Sequence, residues 1–104
     1  MISASKMDIA PKISGSFFFD PSDAVYKEHF PGNPVVPGSL IIHAFIEALR
    51  NNKAIKESYS IRNFRFKSFI APGEFHYDIH YESSTFKCRL FKNETAAVTG
   101  EVVI

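Results

Sequence analysis

Eight consecutive residues, Pro31-Gly32-Asn33-Pro34-Val35-Val36-Pro37-Gly38, hold three prolines and two glycines. Proline locks φ near −65° and removes an N–H, so neither a helix nor a sheet ladder can run through this stretch. It is a braced corner, with a path set before any tertiary contact forms. Directly after it the pattern changes. From Ser39 to Asn51 apolar residues fall on nearly every face: Leu40, Ile41, Ile42, Ala44, Phe45, Ile46, Ala48 and Leu49. This predicts one helix, buried all round. Arg50 and Lys53 stand at its end, where cations suit the macrodipole.

The rest of the chain follows a period of two. Ser14 to Phe19 predicts a first strand, ended by Asp20-Pro21. Residues 24–30 lead into the corner. Phe64 and Phe66 alternate with Arg65 and Lys67. Phe75, Tyr77, Ile79 and Tyr81 alternate with His76, Asp78, His80 and Glu82. Phe86, Cys88 and Leu90 alternate with Lys87 and Arg89. Turns are expected at Pro72-Gly73 and Asn93-Glu94, and a last strand at Ala97 to Ile104. Consecutive strands with one dry face mean an antiparallel sheet. One buried helix against one curved antiparallel sheet is a two-layer α+β domain. With 104 residues the chain is read as one domain spanning residues 1–104, with 1–13 loosely ordered.

Composition narrows the partners. The formal net charge is +1, which does not build the concentrated basic face that nucleic acid demands. The longest apolar run, Leu40 to Leu49, is interrupted by His43 and Glu47 and is too short to span a bilayer. Met1 to Ala10 has no signal-peptide core. No nucleic acid and no membrane are expected as partners. The single cysteine, Cys88, fits a reducing compartment, and a cytoplasmic location is expected. It is read as an ordinary strand residue. Eleven Phe and four Tyr in a small chain favour sharing apolar surface across a dimer interface.

Four groups of residues could carry chemistry. His43 and Glu47 lie four apart on one stripe of the helix. Burying them unpartnered would cost roughly 1–3 kcal/mol each. The stripe therefore faces a cavity or a neighbouring subunit, or the two side chains bond to each other. His29 stands just before the corner, and the corner ends at Gly38, where free N–H groups of a helix start can hold an oxyanion. Proton abstraction beside a carbonyl needs such a pairing of histidine and oxyanion site. A solvated loop histidine is the plainer reading. His76, Asp78 and His80 share a strand face opposite the core side, so they are read as solvated and no metal site is expected. Arg62, Arg65 and Lys67 form a basic stripe, either solvated or a dock for an acidic carrier protein.

The run His29-Phe30-Pro31-Gly32-Asn33-Pro34-Val35-Val36-Pro37-Gly38-Ser39-Leu40-Ile41-Ile42 resembles the signature of the bacterial 3-hydroxyacyl-acyl-carrier-protein dehydratases. That signature is His-Phe-Pro-x-x-Pro-Val-Met-Pro-Gly followed by an apolar helix. Asn63 to Glu74 is similar to the family's Lys-Phe-x-x-Pro-Val-x-Pro-Gly-Asp segment. The resemblance covers residues 14–104. It implies a hotdog fold, a curved antiparallel sheet wrapped around one central helix. It implies dimers that pair through their sheets, with two active sites at the interface, and in some members trimers of dimers. A homodimer is expected, with a higher oligomer or a heterodimer with another hotdog subunit as the alternatives. The residues before the first strand are fewer than those of typical members, so a trimmed N-terminal segment is expected.

The implied enzyme is a hydro-lyase. It removes water from a 3-hydroxyacyl thioester, on an acyl carrier protein or CoA, to give the trans-2-enoyl thioester, with no metal or organic cofactor. By residue, the resemblance makes His29 the base at C2 and gives the Gly38 N–H the thioester carbonyl. Phe30, Val36 and Pro37 would wall the acyl site. One position departs from the family. The Glu or Asp one turn into the helix is His43 here, and the later position, often Gln, is Glu47. Three arrangements follow. His43 is the acid, its ordinary pKa of about 6.5 suiting the role. Or Glu47 reaches in from a turn further on. Or the chain binds acyl thioesters, hydrolyses them or serves a competent partner subunit without dehydrating.

Overall fold

The computed structural model describes residues 12–28 and 32–104. Its elements are β1 (Lys12–Phe19), α1 (Val25–Glu28), α2 (Gly38–Asn51), β2 (Ser60–Phe66), β3 (Gly73–Glu82), β4 (Thr85–Lys92) and β5 (Thr95–Val103). The strands form one antiparallel sheet in the order β1-β3-β4-β5-β2. The inner face of the sheet packs on α2. This is the hotdog arrangement that the resemblance implied.

Short turns set the middle of the sheet. Ser83 and Ser84 both take positive φ (53° and 62°) between the paired residues Glu82 and Thr85. Two successive left-handed residues match the right-handed twist of the flanking strands, so this hairpin closes in two residues. Asn93, at φ 60°, starts the equally short link from β4 to β5. Along β3 the inner side chains are Phe75, Tyr77, Ile79 and Tyr81, as the alternation predicted. Cys88 and Leu90 lie beneath them on β4, at 1% and 0% exposure.

Phe45 is the hub of the core and has no exposed surface. Its ring meets Phe17 at 5.1 Å, Tyr77 at 5.9 Å and Phe64 at 6.1 Å. Edge-to-face contacts of this kind add to the gain from burial, and truncating a buried Phe typically costs about 3–5 kcal/mol.

Three expectations are corrected. First, α2 is not buried all round. It buries Ile41, Phe45, Ile46, Ala48 and Leu49, whereas Ser39, His43 and Arg50 are exposed. One sheet covers one side of a helix, and within one chain no described element covers the other. Second, β1 begins at Lys12, inside the segment expected to be loose, because it pairs with β3 as far as His80. Third, Val25–Glu28 is a helical turn rather than a plain lead-in. Asp23 starts it, accepting the Val25 N–H on its side chain at 3.0 Å and the Tyr26 N–H on its carbonyl at 3.1 Å. A single turn is too short to show a helical period in sequence.

Candidate active site at the mouth of the central helix

The corner does in space what its prolines imply. Pro37 is the N-cap of α2, with φ −60° and ψ 143°, and offers no side-chain cap. Its carbonyl accepts the Leu40 and Ile41 amides at 3.0 and 3.3 Å. Among the described residues no side chain caps the first turn, and no acidic residue lies in it. The leading amides of α2, Gly38 first, therefore lack an acceptor from within the helix. An open, positively polarised helix start can hold a carbonyl oxygen as it gains negative charge.

Two contacts fix this mouth. The Val36 N–H donates to the Ile70 carbonyl at 2.7 Å, tying the corner to the loop after β2. Val36 itself is buried at 3% exposure and joins the core, while Pro37 is half-buried. The second contact is at Gly38. A Cβ built there would lie 2.9 Å from Cζ of Phe66 and 3.1 and 3.3 Å from its Cε atoms. The helix start can approach β2 this closely only because residue 38 has no side chain. His29 and Phe30 lie outside the described residues.

His43 and Glu47 do not bond to each other among the described residues. His43 is exposed on the open flank of α2. Glu47 pairs with Arg50 at 3.3 Å, and Arg50 also donates to the Tyr59 hydroxyl at 3.4 Å. Glu47 lines a shallow cleft of about 330 Å³ on the β1 side, together with Ser16, Phe17, Ala44, Ala48, Asn51 and Tyr77. His43 does not line that cleft. The structural His–Glu bond, one of the readings the spacing allowed, is not there among the described residues.

The outer face of the sheet is organised by ions. Asp78 is 4% exposed although it points away from the core. Arg89 covers it and donates twice, from Nε at 2.8 Å and from an Nη at 2.6 Å. Lys12 adds a longer contact at 3.7 Å. Burial pushes the Asp78 carboxyl up, but the Arg89 guanidinium, with Lys12 and His80, outweighs it and holds the group below the usual carboxylate range. The expected solvation of this strand face holds for His76 and His80, both exposed, and fails for Asp78. The alternation could not show it, because the cover comes from the next strand. Beneath, burial and the Asp78 charge push the Cys88 thiol up to about 12.

The basic stripe is split in its use. Arg62 pairs with Glu101 at 3.4 Å, which also accepts from Asn63 at 3.1 Å. Arg65 lines a depression of about 410 Å³ together with Lys87, Arg89 and Thr99. Lys67 is exposed, and its backbone N–H bonds the Ala97 carbonyl at 2.8 Å. The register of β2 against β5 shifts between Arg62 and Arg65, a β-bulge that puts both side chains on the outer face. Phe66 is the residue of the mouth whose role the family segment around it did not reveal. Alternation placed it on the inner face, but its contact with Gly38 lies 28 positions away in sequence and has no local signal.

Comparison with known proteins agrees with this architecture. Residues 5–101 match the family model described as ApeI dehydratase. A 3-hydroxyacyl-[acyl-carrier-protein] dehydratase FabZ from Lactiplantibacillus plantarum is 32% identical over 95 residues, covering 78% of this chain and 65% of its own. The FabZ of Caulobacter vibrioides is 31% identical over 94 residues, covering 79% and 57%. The chain thus spans roughly three fifths of the length of these curated relatives. Among solved structures, a chain of the dehydratase heterocomplex ApeI:P from Xenorhabdus doucetiae superposes with a TM-score of 0.70 at 22% identity, over 88% of this chain and 85% of that one. That likeness is one of fold. With its motif, its architecture and a family match over nearly its whole length, the chain belongs to the ApeI-like dehydratase family.

Proposed function

We propose that this chain is a 3-hydroxyacyl thioester dehydratase of fatty-acid or polyketide-type synthesis, acting on an acyl carrier protein or CoA thioester. The observation that carries the reading is the start of α2. Pro37 and Gly38 of the dehydratase signature form a helix mouth that no side chain caps among the described residues, whose leading amide has no acceptor among them. In this reading the Gly38 N–H holds the thioester carbonyl, which acidifies the C2 proton. His29 takes that proton. The electron pair left at C2 forms the C2–C3 double bond, the C3–O bond breaks, and His43 gives a proton to the departing hydroxide, releasing water. A proton then passes back from His29 to His43 through solvent, and both return to their starting states. Phe30, Val36 and Pro37 shape the acyl site.

His43 needs a reason to lie near a substrate, since it is exposed in the single chain. A homodimer supplies one. β2 is an edge strand, and its inner face carries Ile61 and Phe66, each 45% exposed. Large apolar side chains on an unpaired edge favour pairing with a second copy. Such a pairing would also cover the open flank of α2. The FabZ relatives are dehydratases of acyl-carrier-protein substrates by name, and an acidic carrier protein fits the exposed Arg65 and Lys67, with Arg62 nearby. The lone Cys88 fits a cytoplasmic protein.

The test is incubation of the purified protein with a 3-hydroxyacyl thioester on carrier protein, followed by mass. Loss of one water is expected. His29→Ala should cut the rate about 10²–10⁴-fold with the melting temperature unchanged. His43→Glu should keep or raise it. Release of free acid would instead make the protein a thioesterase, and an unchanged substrate mass would end the proposal.

A further inference from the structure

Phe66 ends β2 and faces inward, opposite Val98. An aromatic ring on the inner face of a small sheet is expected to be covered. Phe64, two residues earlier on the same face, is half-buried, with its ring 6.4 Å from that of Phe66. Phe66 is left 45% exposed. Leaving half of such a ring in water forgoes much of the gain from burying it. The tip of this ring is nevertheless held firmly. It rests against Gly38, where a Cβ would come within 2.9–3.3 Å of three ring atoms. Four residues after Phe66, the Ile70 carbonyl accepts the Val36 N–H, two residues before Gly38. The ring tip and the helix mouth are therefore held together by these two contacts, while the rest of the ring is partly open to solvent.

We propose that Phe66 is a positioning residue of the thioester site. Its ring shields the Gly38 amide from bulk water and gives the acyl thioester an apolar surface to lie on while the carbonyl accepts from that amide. The inference rests on the dehydratase reading. Its physical basis is that a hydrogen bond to a developing oxyanion is stronger where water is excluded. The edge of a phenyl ring is positively polarised and tolerates a nearby oxygen anion. Glycine at position 38 then serves the chemistry as well as the packing. A side chain there would push the ring away from the amide it covers.

The experiment compares Phe66→Ala and Phe66→Leu with the unaltered protein, using 3-hydroxyacyl N-acetylcysteamine thioesters. Support acting only in the transition state appears in kcat rather than KM. Phe66→Ala should lower kcat about tenfold or more with a smaller change in KM, and Phe66→Leu should restore most of it. In parallel, NMR hydrogen exchange at the Gly38 amide of the ligand-free protein should quicken about tenfold in Phe66→Ala and little in Phe66→Leu. Unchanged kcat and KM in Phe66→Ala, or unchanged Gly38 exchange, would overturn the inference while leaving the dehydratase reading intact. If the unaltered protein does not turn over, the dehydratase reading fails, and the exchange measurement still decides whether Phe66 covers the amide.

Discussion

The mouth of α2 and the outer face around Asp78 both hold strong polar groups close to apolar surface, and they treat them in opposite ways. At Asp78 each carboxylate oxygen meets a cation: Arg89 reaches both, and Lys12 stands behind one. At the mouth, among the described residues, no side chain caps the helix and no acid lies in its first turn. The protein places an ion network where only stability is at issue. It leaves amides open where, on the proposed chemistry, a substrate oxygen must come. Polar groups satisfied from within hold a fold together, whereas open ones in a rigid setting are available for binding.

Substitutions can sharpen or break this contrast. The largest expected effect is Arg89→Met. It leaves a buried carboxylate without its main partner, and since Arg89 is itself half exposed, the cost is about 2 kcal/mol rather than the full penalty of a buried ion. Turnover per folded molecule should stay as it is, and a fall in specific activity would mean that the outer face also serves the reaction. A smaller effect follows from pH. The Asp78 carboxyl is held below its ordinary value of 3.8. Its contribution is therefore fully present above that value and fades as pH falls through the lower folded value. In Arg89→Met, burial is opposed only by the weaker pull of Lys12 and His80, so the folded value should rise above the unfolded one. The gap in melting temperature between variant and parent should then begin to narrow as pH falls through the variant's raised value and go on narrowing below about 4, and a constant gap would break the assignment.

The smallest effect belongs to the mouth. Ser39→Asp puts a carboxylate in the first turn of α2 and should stabilise the protein by about 0.5 kcal/mol. The same charge would compete for the open amides, so turnover should fall while the melting temperature rises. A parallel rise in both would mean that the mouth is only structure.

Much of this was legible in the sequence. The prolines of the corner, the apolar run of α2 and the alternation of β3 each act locally, so the sequence states them directly. What it hid was long-range. Asp78 looked solvated because its strand gives no hint of Arg89 folding over it from β4. A bonded His43–Glu47 pair stayed open as a reading because helical spacing ignores that Arg50, three residues on from Glu47, competes for it. α2 looked buried all round because hydropathy does not say how many layers a chain can place around a helix. The contact between Gly38 and Phe66 was invisible for the same reason, since nothing near either residue points to the other.

The bulge in β2 makes that strand sensitive to length. In a regular strand Arg62 and Arg65, three positions apart, would face opposite sides. The extra residue near Asn63, at φ 57°, is what aligns them. Removing that extra residue would leave Arg62 and Arg65 two positions apart in a regular strand, still on one face. Removing a residue elsewhere in β2 would turn over everything on one side of the deletion, so single-residue deletions in this edge should be best tolerated at the bulge and far less tolerated outside it.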